Sequence, residues 1–375
     1  MHPIETLVNS LPLSWKLERR ASYSRARGHL FRILAVLLAL VLTGIVIEAS
    51  GESALAMAGS VLRSTLGSRY GWQQLLLLAT PLILNGTAFL LGIRMQLFNF
   101  GLEGQLYIGA FAAAGVGLNL QGPPWLMVPL MLLASAAGGS LYAAVPALMR
   151  IYSGVSEILT TLLMNPLAIQ WATYIGMIAW RDRISIVGGT SNATPRVPYE
   201  LPVVGGDFSS GILIAILAVI GVWIAFSSTV WGYEVTSIGA NRGAAEFAGM
   251  PVVRKMLVVM MLSGALAGLS GAIELLGAAH RYSGRLSPGY GWLGIDVAIL
   301  AGGEPLPLIA WGLFLALILN GGTVLKVQGL SVDLVIALTG LILLLASIGE
   351  VLANYRLVPV SRLGEGVEDA VRGQT

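Results

Sequence analysis

Apolar residues run along this chain in long unbroken blocks, without the strict alternation or one-faced periodicity of soluble elements. Blocks near the ~20 residues that an α-helix needs to cross a hydrocarbon core occupy 33–49, 73–93, 97–118, 124–149, 158–180, 211–226, 256–278, 305–321 and 332–348. A tenth, shorter and glycine-rich, lies at 290–301. Nothing reads as alternating barrel strands, and backbone in lipid must satisfy its hydrogen bonds internally, so each block predicts a helix. The expected fold is an all-α polytopic membrane protein of about ten transmembrane helices.

Composition agrees. Of 375 residues 56% are hydrophobic and 11% charged, against about 25% charged in soluble domains, and the mean hydropathy is +0.80. A soluble fold of this length has too little interior for so much apolar sequence. The 47 glycines suit close helix packing in lipid.

Charge sets the expected orientation. A basic stretch (Lys16, Arg19, Arg20, Arg25, Arg27, Arg32) precedes the first block with no small-residue cleavage site close behind it, which predicts a cytosolic tail and not a cleaved signal. With ten spans, 14 of the 22 Lys and Arg fall on the side of the N-terminus. The positive-inside rule then places both termini in the cytosol. The organisation expected is a basic N-terminal tail (1–30), a transmembrane domain (31–349) and a C-terminal tail (350–375). Two connections are long: 181–209, external and turn-rich around Pro195, Pro198 and Pro202, and 227–255, cytosolic. Within the second, Asn241 as N-cap, Ala244, Ala245 and Ala248 as helix formers and Gly249 as a stop predict a short helix over 240–250.

Two blocks carry polar residues that hydrocarbon penalises. Leu97-Phe-Asn-Phe-Gly-Leu-Glu-Gly-Gln-Leu-Tyr sets Asn99, Glu103 and Gln105 beside Gly101 and Gly104. A carboxylate at a span centre costs ~3 kcal/mol on insertion scales. Such groups normally face a cavity or a partner, and glycines let the helix open. The stretch 289–305 is interrupted in the same way and carries Asp296 and Glu304. Paired interrupted segments point to a solute path at mid-membrane. For Asn85, Glu157, Asn165, Glu274, Asn320 and Asp333 the competing explanation is a helix–helix hydrogen bond or a span end. Ser263-Gly-Ala-Leu-Ala-Gly-Leu-Ser-Gly reads as a seam of small residues for close packing.

Catalytic chemistry is not legible. With no cysteine, disulfides, zinc–thiolate sites, iron–sulfur clusters and thiol catalysis are excluded. The three histidines are scattered, so no metal site is expected. The patterns G-x-x-x-x-G-K-[ST], H-E-x-x-H and G-x-S-x-G are all missing. The chain is expected not to be an enzyme, and any ATP that drives it would bind another subunit.

Five segments in order, Phe98-Asn-Phe-Gly-Leu-Glu-Gly-Gln, Ser156-Glu-Ile-Leu-Thr-Thr-Leu-Leu-Met-Asn165, Gly239-Ala-Asn-Arg-Gly-Ala-Ala-Glu-Phe-Ala-Gly249, the Ser263 seam and 289–303, resemble the bacterial ABC importer permeases for nucleosides and simple sugars, within the ribose and branched-chain amino-acid permease superfamily. The likeness runs over about 75–348. It implies a multi-pass protein of the bacterial inner membrane. The implied partners are a second permease, same or homologous, two cytosolic ATPase subunits and an extracytoplasmic solute-binding protein; no nucleic acid is implied. It implies no cofactor in this chain, with ATP and magnesium in the ATPase. By the same resemblance, Gly239, Asn241, Ala244, Ala245, Glu246 and Gly249 belong to a coupling helix seated in an ATPase groove. Phe98, Asn99, Glu103, Gln105, Asn165 and Asp296 are the expected solute-path residues. Phe100 stands where an aliphatic residue is more usual. The alternative is an ion-coupled secondary transporter using Glu103, Glu274 or Asp296.

Overall fold

The computed structural model describes residues 15–19, 25–180, 193–205 and 208–359. In chain order its helices are α1 (Arg25–Ala49), α2 (Ala54–Leu66), α3 (Arg69–Arg94), α4 (Leu102–Asn119), α5 (Pro124–Ser153), α6 (Glu157–Trp180), α7 (Gly211–Ser228), α8 (Val230–Ala240), α9 (Arg242–Phe247), α10 (Val252–Glu274), α11 (Tyr290–Leu300), α12 (Pro307–Val327) and α13 (Val332–Asn354). Four short strands complete it: β1 (Trp15–Arg19), β2 (Val203–Val204), β3 (Phe208–Ser209) and β4 (Tyr355–Pro359). Most of the 1–30 tail's first half, 181–192 and 360–375 lie outside the described residues.

Eight helices among the described residues are long and apolar enough to cross a membrane: α1, α3, α5, α6, α7, α10 with its final turn, α12 and α13. The two remaining blocks of the sequence are the interrupted ones. Block 97–118 is a non-helical stretch followed by α4, and block 290–301 is α11, whose 11 residues span only ~17 Å at 1.5 Å per residue. Helix α2 was not foreseen, because its 13 residues are too few for a span. Nor was α8 foreseen within the 227–255 connection. There Thr229 caps the chain, its hydroxyl accepting from the Gly232 N–H at 3.1 Å.

Contacts divide the chain into two units. In the unit 56–335, α3 and α10 form the centre: 78% of the apolar window of α3 and 61% of that of α10 are buried, against 22–39% for α5, α6, α7 and α12. Helix α10 packs on α3, α4 and α5, and α3 also meets α7, α11 and α12. Lipid tails supply no hydrophobic drive between helices, so close van der Waals contact must supply it. The Ser263 seam does this. A Cβ on Gly264 would lie 2.4 Å from the Gly139 carbonyl oxygen, and one on Gly268 would lie 2.3 Å from that of Ser135. The Ser135 hydroxyl donates to the Gly268 carbonyl across the same contact.

Helix α10 ends in a π turn (Leu275–Ala279) closed by His280 in the left-handed region, φ 53°. Its exit is stitched to the α6–α7 connection: Thr194 N–H donates to the Tyr282 carbonyl at 2.9 Å, Val197 to His280 at 2.9 Å and Leu201 to Leu276 at 3.2 Å. The described part of that connection is non-helical, as its prolines predict.

The second unit joins 1–55 to 336–375. Strands β1 and β4 pair antiparallel, with Trp15 opposite Pro359 and Arg19 opposite Tyr355. The all-α expectation is therefore corrected by this ribbon and by the two-residue β2–β3 pair. Both are too short to stand out beside the apolar blocks.

Candidate functional site

The first interrupted segment begins where α3 stops. Leu97 N–H donates to the Gly92 carbonyl at 2.9 Å and closes the helix end. Gln96 takes a left-handed φ of 57° there. Gly92 must lack a side chain, since its Cβ would lie 2.3 Å from the Leu97 oxygen. The backbone from Leu97 to Gly101 thereby loses its helical partners, and neighbouring side chains replace them.

Asn99 and Gln105 form a closed amide pair. Asn99 Nδ2 donates to Gln105 Oε1 and Gln105 Nε2 donates to Asn99 Oδ1, both at 2.9 Å. Asn99 also donates to Ser263 Oγ of α10 at 2.9 Å and accepts from Gly101 N–H at 3.0 Å. Ser263 passes the chain on to the Ala88 carbonyl of α3 at 2.7 Å. From α6, Asn165 Nδ2 donates to the Phe100 carbonyl at 2.7 Å while its Oδ1 accepts from Gly104 N–H at 2.8 Å. Gly104 N–H is one of the donors that a helix start leaves open, so Asn165 caps α4 from another helix. Thr161 Oγ1 accepts from Phe100 N–H at 3.2 Å.

Glu103 joins the two interrupted segments. Its Oε2 accepts from Gly291 N–H, in the first turn of α11, at 2.7 Å. A Cβ on Gly291 would lie 2.3 Å from the Glu103 nitrogen, so only glycine permits this approach. Beside it, the Ser287 hydroxyl accepts from Tyr290 N–H at 2.9 Å. One turn along α4, Tyr107 accepts from Ser287 N–H and donates to the Gly284 carbonyl, each at 3.2 Å.

Asn99, Glu103, Gln105 and Asn165 are all at most 5% exposed. Their polar atoms bond within the protein and hold the broken backbone. Phe98, Phe100 and Asp296 differ, being partly exposed. Phe98 and Phe100 gather on Phe89 with ring centroids 6.5 and 5.6 Å away. Asp296 makes no hydrogen bond or ion pair among the described residues. Other polar candidates serve packing, Asn85 donating to Ser270 Oγ and Asn320 to Thr65 Oγ1. At the end of the bundle where α3 stops, Arg94 pairs with Glu304 at 3.4 Å, and Arg150 with Glu157 at 3.2 Å.

At that same end the short helix forms as α9. Asn241 Oδ1 accepts from Ala244 N–H at 3.0 Å, and Gly249 ends the turn at φ 80°. Four of the residues expected to couple, Gly239, Asn241, Ala245 and Gly249, face inward or shape the backbone. Ala245 is buried among Leu91, Met95, Leu97 and Val252, and a Cβ on Gly239 would lie 2.2 Å from the Arg94 oxygen. Ala244 and Glu246 are exposed, Glu246 holding Arg242 at 3.0 Å. Phe247, which the sequence reading passed over, is 97% exposed at the tip. An aromatic beside the stop glycine was the available signal.

The family model described as branched-chain amino acid transport system / permease component matches residues 72–347. A glucose ABC transporter permease of Haloferax volcanii is 33% identical over 87% of this chain and 88% of its own length. A guanosine ABC transporter permease of Bacillus subtilis is 32% identical over 80% and 86%. A nucleoside ABC transporter permease of Lactococcus lactis is 26% identical over 85% and 91%. In each of these organisms a second permease protein also matches, at 27, 24 and 26% identity respectively. A family match across most of the chain, two relatives above 30% identity and a multi-pass bundle built on interrupted helices together mean that the chain belongs to the permease components of branched-chain amino acid transport systems, the membrane-spanning subunits of ABC importers.

Proposed function

We propose that this permease moves nucleosides or simple sugars into a bacterial cell across its inner membrane, as one of two homologous permease chains. The observation that carries this reading is the set of names borne by relatives matched over 80–87% of the chain: glucose, guanosine and nucleoside transporters. The finding of two different permeases in each of those organisms favours a heterodimer. The chain crosses the bilayer ten times, α4 and α11 completing the eight long helices, and both termini are cytosolic. ATPase subunits, which hold ATP and magnesium, dock on α9 through Ala244, Glu246 and Phe247. Asn241, Ala245, Gly239 and Gly249 set the pose of that helix. A solute-binding protein delivers solute at the opposite face, where the α6–α7 connection lies.

The solute path runs beside the two interrupted segments. Phe98, Phe100 and Asp296 contact solute, while Asn99, Gln105, Glu103 and Asn165 hold the broken backbone in place. ATPase closure moves α9, which rests on the end of α3, and so shifts the segment that starts there as a rigid body. The test is uptake of labelled guanosine and glucose by the complete transporter in proteoliposomes. ATP-dependent uptake of either is expected. Uptake driven by an ion gradient without the ATPase overturns the proposal.

A further inference from the structure

Two contacts set the antiparallel register of α3 and α10 at the centre of the bundle. Asn85 Nδ2 donates to Ser270 Oγ at 2.8 Å, and a Cβ on Gly277 would lie 3.4 Å from Leu77 Cδ1. Residues 77, 81 and 85 form one stripe of α3, and 270, 274 and 277 one stripe of α10 and its final turn. Glu274 therefore stands opposite Pro81. It is 8% exposed and makes no hydrogen bond or ion pair among the described residues. Asn85 Oδ1, at the level one turn back, is also buried without a partner among them. Pro81 lies inside α3 and has no N–H, so the Leu77 carbonyl lacks its usual donor four residues on. Helix α11 closes the third side. A Cβ on Gly294 would lie 2.4 Å from Asn85 Cβ, and Tyr290, one turn outward, is 3% exposed.

A carboxylate, an amide oxygen and a backbone carbonyl thus lie at adjacent levels of one packed contact, all acceptors and none with a donor. The neighbouring helices bring no counter-charge: residues 70–93, 102–119, 256–279 and 290–300 contain no Lys, Arg or His. The titratable groups on α4 and α11 there are Tyr290 and Glu103, and Glu103 is itself bonded to Gly291 N–H. The other buried carboxylates have partners, Glu103 in Gly291 and Glu157 in Arg150. A buried charge left alone is costly. Water would fill the hydrogen bonds and leave the charge, and a proton would serve one acceptor and leave the rest. A hard monovalent cation balances one carboxylate and takes oxygen ligands of all three kinds. The close approach of Gly294 to Asn85 favours a small ion, sodium over potassium. Glu274 also directly precedes the π turn that carries the stitched exit of α10, and such turns are frequent at functional sites.

We propose that Glu274, with Asn85 Oδ1 and the Leu77 carbonyl, binds one sodium ion beneath the exit of α10. The ion is a resident ligand of the bundle, and ATP remains the driving force. The test uses the complete transporter in detergent, without solute or ATP. Replacing choline chloride by sodium chloride at constant ionic strength is expected to raise the thermal-unfolding midpoint by about 3 °C at ten times the dissociation constant. Potassium chloride is expected to raise it less. Glu274→Gln keeps the size and removes the charge, and is expected to abolish the sodium shift. If that variant does not assemble, binding of radioactive sodium to the unaltered transporter decides: displacement by unlabelled sodium but not by choline is expected. No sodium shift, no displaceable sodium, a shift that potassium matches or a shift that survives Glu274→Gln overturns the proposal. So does a midpoint difference between wild type and Glu274→Gln that follows pH and ignores sodium, which makes the occupant a proton. Binding is read without turnover. Sodium held at Glu274 in a transporter that imports neither guanosine nor glucose with ATP would defeat the importer reading and leave this site standing.

Discussion

Asn165→Ala removes one side chain and should release one segment. Asn165 is 3% exposed and bridges the Phe100 carbonyl (2.7 Å) and the Gly104 N–H (2.8 Å). Truncation leaves both backbone groups unpaired. A lost helix cap costs about 0.5–2 kcal/mol, and an interhelical bond in a membrane protein about 0.6, at most about 1.7. The two together give about 1.1–3.7 kcal/mol, or roughly a 6- to 500-fold rise in the open population of the segment. A single cysteine at Phe100 reports it: in the Asn165→Ala background its labelling by a water-soluble maleimide should accelerate by that factor. Asn165→Asp keeps the acceptor for Gly104 but faces the Phe100 carbonyl with a second acceptor, so it should not restore protection. Equal labelling rates with and without the Asn165 side chain would refute the idea that this amide holds the broken backbone.

Gly291→Ala should separate the two interrupted segments, because its methyl meets Glu103 backbone at 2.3 Å; uptake should be lost while the complex still elutes as a single species in gel filtration. Gly268→Leu should prevent α5 and α10 from closing on the Ser135 carbonyl, at a cost of about 1–3 kcal/mol or more, read as a lowered thermal-unfolding midpoint. Phe247→Ala should weaken pull-down of the ATPase without moving that midpoint, whereas Ala245→Leu should lower the midpoint because Ala245 is packed beneath α9. Glu304→Gln should change stability by no more than about 1 kcal/mol, since its pair with Arg94 is partly solvated; a larger drop in the unfolding midpoint would contradict that.

The sequence by itself determined the solvent, the helices and the breaks. Long apolar blocks have one low-energy form in lipid, so eight spans and both interrupted blocks were legible from length and polarity. The cap at Asn241 and the Gly264–Gly268 seam were legible too, since each is a local rule of residue type and spacing. What the buried polar residues face was not legible. Asn99 and Gln105 could be read as path-lining amides, because a sequence shows that an amide is costly in hydrocarbon but not which partner relieves the cost. The partners lie 61 to 188 residues away, at Asn165, Ser263 and Gly291, and only packing brings them within 3 Å. Direction around a helix was hidden for the same reason. Nearly uniform apolar spans carry little asymmetry, so the inward turn of Ala245, the outward turn of Phe247 and the burial of Glu274 were decided by which neighbours occupy each face.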